Sequence, residues 1–138
     1  MKGNIGIVGD LHLPFERPDY LNFCIEIFDR CKCTIIVQIG DLVDLHALNF
    51  HLRDPDGMSA NDEMSEVDKR IKRWIGAFPQ MYICLGNHDR LIHRQAQTIG
   101  IPTRAIKSFR EMWNLPLGWQ EAFSWEFYGV RFMHGTGL

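Results

Sequence analysis

Three short apolar runs in this chain each stop at a glycine and give way at once to side chains that can bind a metal or move a proton. The first, "NIGIVGD" (Asn4 to Asp10), runs into "GDLH" with Asp10 and His12. The second, "TIIVQIGD" (Thr34 to Asp41), runs into "GDLVD" with Asp41 and Asp44. The third, "MYICLG" (Met81 to Gly86), runs into "GNHD" with Asn87, His88 and Asp89. β-Branched runs of this length, bounded by glycine, read as buried strands. Between the first two, "RPDYLNFCIEIFDRC" sets Leu21, Ile25 and Phe28 at helical spacing behind Pro18. Between the last two, Val67, Ile71, Trp74, Ile75 and Phe78 mark an amphipathic helix. Strand, helix, strand, helix, strand predicts two consecutive βαβ units and a parallel sheet.

The remaining segments are read more coarsely. "LVDLHALNFHL" (Leu42 to Leu52) suggests a short helix and "DPDG" (Asp54 to Gly57) a turn. Helical stretches are expected near Asp89 to Gln97 and Thr103 to Met112. Last comes a hairpin, in which Phe123, Trp125 and Phe127 alternate, Gly129 turns, and Val130, Phe132 and His134 alternate back.

With 138 residues the chain is expected to form one domain with a real core. A net charge of -2 gives no basic field for nucleic acid and no acidic tail for a basic partner. No segment approaches the roughly 20 apolar residues of a membrane span, and "MKGNIGIVGD" is too short in its apolar part for a signal peptide. The expected location is cytoplasmic. Cys24 and Cys84 fall in helical and strand patterns typical of reduced, buried thiols, and the "CKC" at Cys31 and Cys33 has no second pair at zinc-finger spacing.

In an open parallel sheet, ligands sit outside the carboxyl ends of the strands. Adjacent strands should therefore carry Asp10, His12, Asp41 and Asn87 to one crevice although they lie far apart in sequence. A set of Asp, Asn and His without Cys suits Mn²⁺, Fe²⁺ or Zn²⁺ better than a soft metal or an all-oxygen Ca²⁺ site. Crowded carboxylates repel one another, and divalent cations relieve that repulsion. Two metals about 3.5 Å apart, bridged by one Asp, would hold a water and deprotonate it to a bridging hydroxide for attack on phosphorus.

These motifs resemble the calcineurin-like metallophosphoesterase family, whose signature runs Asp-x-His, Gly-Asp-x-x-Asp, Gly-Asn-His-Asp or Glu, a lone His, and Gly-His-x-His. Here "DLH" (Asp10 to His12), "GDLVD" (Gly40 to Asp44) and "GNHD" (Gly86 to Asp89) match in order, and His134 in "MHG" looks like the lone His. The resemblance implies an α/β fold: a calcineurin-like β-sandwich flanked by helices, its first parallel βαβαβ sheet present and its second sheet incomplete. It implies two divalent metal ions, Mn²⁺ first and Fe²⁺ or Zn²⁺ as alternatives. Asp10 and His12 would bind one metal, Asn87 and His134 the other, and Asp41 would bridge them. His88 would be the acid that protonates the leaving oxygen of a phosphate mono- or diester. Asp44 and Asp89 would orient ligands or the acid, and Arg90 would touch substrate phosphate.

The final Gly-His-x-His is absent, and the sequence ends four residues after His134. The expectation is therefore a single metallophosphoesterase domain over residues 1–138, lacking its C-terminal part and able to self-associate through the incomplete sheet. Simpler roles compete. Asp10 and Asp41 could cap helices, and His134 could complete an interior face, but neither accounts for His12 and "NHD". His46, His51 and His93 read as surface or core histidines, "DKRIKR" (Asp68 to Arg73) as a solvated helix face, and Trp113, Trp119 and Trp125 as core. Two other functions stay open: a nuclease acting on DNA or RNA ends, and a metal-binding or protein-interaction module whose catalysis is lost.

Overall fold

The computed structural model describes residues 2–135. Its strands are β1 (Asn4–Val8), β2 (Cys33–Gln38), β3 (Met81–Cys84), β4 (Trp119–Ala122), β5 (Ser124–Phe127) and β6 (Val130–Met133). Its α-helices are α1 (Tyr20–Arg30), α2 (Ala60–Ala77), α3 (Leu91–Thr98) and α4 (Phe109–Met112). Strands β1 to β4 form one parallel sheet in sequential order, and β5 and β6 form a separate antiparallel pair. The expected βαβαβ sheet and the small second sheet are both present.

Alternation along each strand sends side chains to opposite faces. Val8, Ile36, Met81 and Ile83 join the larger core, with Leu21 and Cys24 of α1 and Val67, Ile71 and Trp74 of α2. Ile5, Ile35, Val37, Tyr82 and Cys84 face the other way and meet Trp125, Phe127 and Phe132 of the hairpin. Covering on both faces explains why the strands are apolar almost throughout. Trp74, 1% exposed, is the largest contributor to the helical side; truncating such a side chain to Ala typically costs about 3–5 kcal/mol. The hairpin is pinned by Trp125 Nε1 donating to the carbonyl of Ile83 at 2.9 Å. It turns through Tyr128 and Gly129, both at positive φ (56° and 79°), the twist that suits a two-residue hairpin loop.

Local chemistry sets the ends of α2. The hydroxyl of Ser59 accepts from the amide of Asp62 at 3.1 Å, with Asp62 and Glu63 in the first turn. Phe78 closes the helix just before Pro79, which cannot continue it.

Three segments differ from the sequence expectation. The stretch from Leu42 to Leu52 contains only a 3₁₀ turn at His46–Leu48, because the chain there is tied down by contacts outside itself. The expected helix from Thr103 to Met112 splits into a 3₁₀ turn (Thr103–Ala105) and α4, with Ile106 extended and Ser108 capping α4. The fourth parallel strand, "WQEA", is not marked by any apolar run in the sequence. Arg110 holds it in place, its Nε donating to Glu121 at 3.1 Å and its other nitrogens reaching the carbonyls of Leu115, Pro116 and Trp119.

Candidate metal centre

The three strand-end turns lie side by side and are stitched together mostly through backbone. The carbonyl of Asp41 accepts from the amides of both Leu11 and His12, at 3.1 and 2.9 Å. Leu13 donates to the carbonyl of Leu42 and Asp44 donates back to that of Leu13, each at 3.0 Å. The third turn joins when the amide of His88 donates to Asp41 Oδ1 at 3.0 Å. Asp41 and His12 both adopt left-handed backbone, φ 52° and 50°, which costs of order 1–3 kcal/mol per non-glycine residue and persists only where the surroundings enforce it. Neither Asp10 nor Asp41 caps a helix: the helix after Asp10 starts at Tyr20 behind Asp19, and the 3₁₀ turn after Asp41 starts at His46 behind Leu45.

The ring of His12 has Nδ1 2.7 Å from Asp44 Oδ1, leaving Nε2 directed at the carboxylates, 3.6 Å from Asp41 and 3.9 Å from Asp10. His134 faces the same carboxylates from the hairpin side. Its Nε2 lies 3.2 Å from Asp41 Oδ2 and 3.0 Å from Asn87 Oδ1, while its Nδ1 is 3.1 Å from the carbonyl of Ile39. His88 stands edge-on to His12, ring centroids 4.7 Å apart, with Nδ1 2.6 Å from the carbonyl of Asp44. Asp10 is exposed at the rim, Asp41 is buried, and the others are partly buried.

Two groups of three side chains result, His12–Asp41–His88 and Asp10–Asp41–His134, each with ligand atoms within 4.8 Å of one another. Asp41 belongs to both. Oxygen and imidazole donors converging around a buried carboxylate fit divalent ions of the Mn²⁺, Fe²⁺ and Zn²⁺ type. Asp10, His12, Asp41, His88 and His134 thus lie together, with Asp44 and Asn87 in contact with them, while the Arg90 guanidinium lies over the Phe123 ring at 5.1 Å.

Asp89 sits beneath the site. Burial pushes its carboxyl up to about 6, against the opposing pull of amide bonds from Gly86 (2.8 Å) and Val43 (3.1 Å). It braces the third turn against the second. His46 is occupied elsewhere, Nδ1 near Asn49 and Nε2 accepting from the amide of Asp54.

Two supporting residues escaped sequence reasoning. Gln38, fully buried, accepts from the amide of Gly40 and donates to the carbonyls of Gly9 and Gly40, linking the first two turns. Glu63 on α2, also buried, accepts from the amides of His46 and Ala47 at 2.7 and 2.9 Å. The only hint was a polar residue inside an apolar strand for Gln38, and on the core-facing stripe of a helix for Glu63. The glycines are legible in hindsight: a Cβ on Gly40, at φ +105°, would overlap the His134 ring, and one on Gly86 would overlap Asp41.

The model of the calcineurin-like phosphoesterase family matches residues 3–137, nearly the whole chain. No curated protein matches the sequence. The chain belongs to the calcineurin-like phosphoesterase family, and with that family come metal-dependent hydrolysis of phosphoesters and divalent-metal binding.

Proposed function

We propose that the chain hydrolyses a phosphate mono- or diester at a dinuclear centre. Asp10 and His12 would hold one ion, Asn87 and His134 the other, and Asp41 would be the ligand they share. What carries this is the sharing of one buried carboxylate, Asp41, by two converging donor groups, His12–Asp41–His88 and Asp10–Asp41–His134, with Asp10 between the two histidines, 3.9 Å from His12 Nε2 and 3.8 Å from His134 Nδ1. Divalent ions held there, Mn²⁺ in the first instance, would supply Lewis acidity and lower the pKa of water for in-line attack on phosphorus.

The remaining chemistry belongs to the protein. His12 donates its Nδ1 proton to Asp44 and so presents Nε2 as the ligand atom. His134 is turned the same way by the carbonyl of Ile39. His88 Nδ1–H donates a hydrogen bond to the carbonyl of Asp44, so the ring would act as an acid in its imidazolium form, giving the second proton, on Nε2, to the leaving oxygen and returning to the neutral Nδ1–H tautomer. His88 also falls within the His12–Asp41 donor group, so the number of ions bound by His88→Ala decides between the acid and ligand roles.

Mn²⁺-dependent hydrolysis of bis(p-nitrophenyl) phosphate and of p-nitrophenyl phosphate, with bound metal counted in parallel, tests the proposal. Turnover that needs both metal and His88 supports it. Two ions bound without turnover on either ester would leave a metal-binding module and sink the enzyme reading.

A further inference from the structure

A groove of about 630 Å³ lies beside the third strand-end turn. Its inner part is formed by Leu85 and Asp89, which flank Gly86, Asn87 and His88 in sequence. Outward it is lined by Arg90, His93 and Arg104. Arg90 is carried on the face of Phe123, a contact that positions the guanidinium while leaving its charge uncancelled. Neither Arg90 nor Arg104 forms an ion pair among the described residues.

The acids of the same walls are largely engaged. Glu121 is paired with Arg110, Asp89 is buried under two amide bonds, and Glu111 accepts from the Ser108 hydroxyl at 2.8 Å. Arg90, His93 and Arg104 thus line a groove whose walls include Leu85 and Asp89 on either side of the turn carrying His88, with Glu111 as its remaining unpaired acid among the described residues. Guanidinium forks match the oxygens of phosphate and bind them bidentately.

On the phosphoesterase reading above, we infer that this groove receives a second phosphate of the substrate, so that the favoured substrates are organic phosphoesters carrying at least two phosphates. Arg104 and Arg90 are its specificity determinants. A ligand with one phosphate leaves both cations without a partner, and discrimination follows from that loss.

Isothermal titration calorimetry on the Mn²⁺-loaded protein, freed of excess metal, tests this directly. One arm compares adenosine 3′,5′-bisphosphate with adenosine 5′-monophosphate, and the other compares fructose 1,6-bisphosphate with fructose 6-phosphate. The bisphosphate should bind about 10-fold tighter or more than its monophosphate in at least one arm, as a charge-assisted contact implies. The arm that shows it tells nucleotide from sugar. In Arg104→Ala the ratio should fall towards one, while Lys107→Ala, an exposed cation not lining the groove, should keep it. Equal binding in both arms would overturn the inference. So would a ratio that survives in both Arg104→Ala and Arg90→Ala, or one that is lost equally in Lys107→Ala. Hydrolysis of bis(p-nitrophenyl) phosphate, measured alongside, separates the two proposals: a preserved ratio without hydrolysis removes the enzyme and keeps the groove, and hydrolysis without a ratio does the reverse.

Discussion

Asp44 Oδ1 lies 2.7 Å from His12 Nδ1, and this one contact decides which nitrogen of the ring faces Asp10 and Asp41. Through its carbonyl the same residue also holds His88. Asp44→Ala should therefore weaken Mn²⁺ binding by about 10–100-fold, the usual effect of removing the partner of a ligating histidine. Calorimetric titration with Mn²⁺ checks it; unchanged affinity would mean that His12 is oriented by something else.

His88→Ala should lower turnover by about 10²–10⁴, the range for a lost general acid, with two ions still bound. Metal analysis beside the rate measurement decides this. Loss of one ion together with the rate would move His88 into the ligand set with His12 and Asp41.

Gly86→Ala places a methyl group against Asp41 and its backbone amide. Overpacking at so rigid a spot costs about 1–3 kcal/mol. The protein should melt lower, and because the collision falls on the shared carboxylate, Mn²⁺ affinity should fall as well. An unaltered melting temperature would show that the turn can relax.

Glu63→Ala strips the acceptor from two partly buried amides, those of His46 and Ala47. Each orphaned donor costs about 1–3 kcal/mol, so urea denaturation should show a loss of that order or twice it. Glu63→Gln keeps one acceptor oxygen and should recover part of it.

Burial pushes the Cys84 thiol from the ordinary 9.0 up to about 11, while Cys31 is exposed. Alkylation at pH 8 should label Cys31 and spare Cys84 until the protein is unfolded. Because the folded protein disfavours the Cys84 thiolate, this stabilisation is fully present below pH 9 and declines as pH rises towards 11. A stability curve flat over that interval would contradict the assignment.

Much of this was legible from the chain. The three glycine-ended runs announced both the parallel sheet and the ligand-bearing turns, since the same residues terminate strands and carry the polar groups. The alternation of Trp125, Phe127 and Phe132 announced the hairpin. What was not legible depends on contacts distant in sequence. β4 has a polar core sequence and exists because Arg110 and the edge of β3 hold it. The 42–52 segment looked helical by its leucines, yet Glu63, on another element, fixes its amides in a tighter turn. The left-handed backbones of His12 and Asp41 follow from the stitching between turns, which no local pattern encodes.

That stitching also governs when metal can be captured. The donors run from Asp10 to His134, and three separate loop closures must be completed before they meet. A nascent or partly unfolded chain offers only isolated pairs such as Asp10 with His12, too few to hold an ion tightly. An ion bound by the completed set would act as a lock on the folded structure, resisting its opening in step with its own affinity.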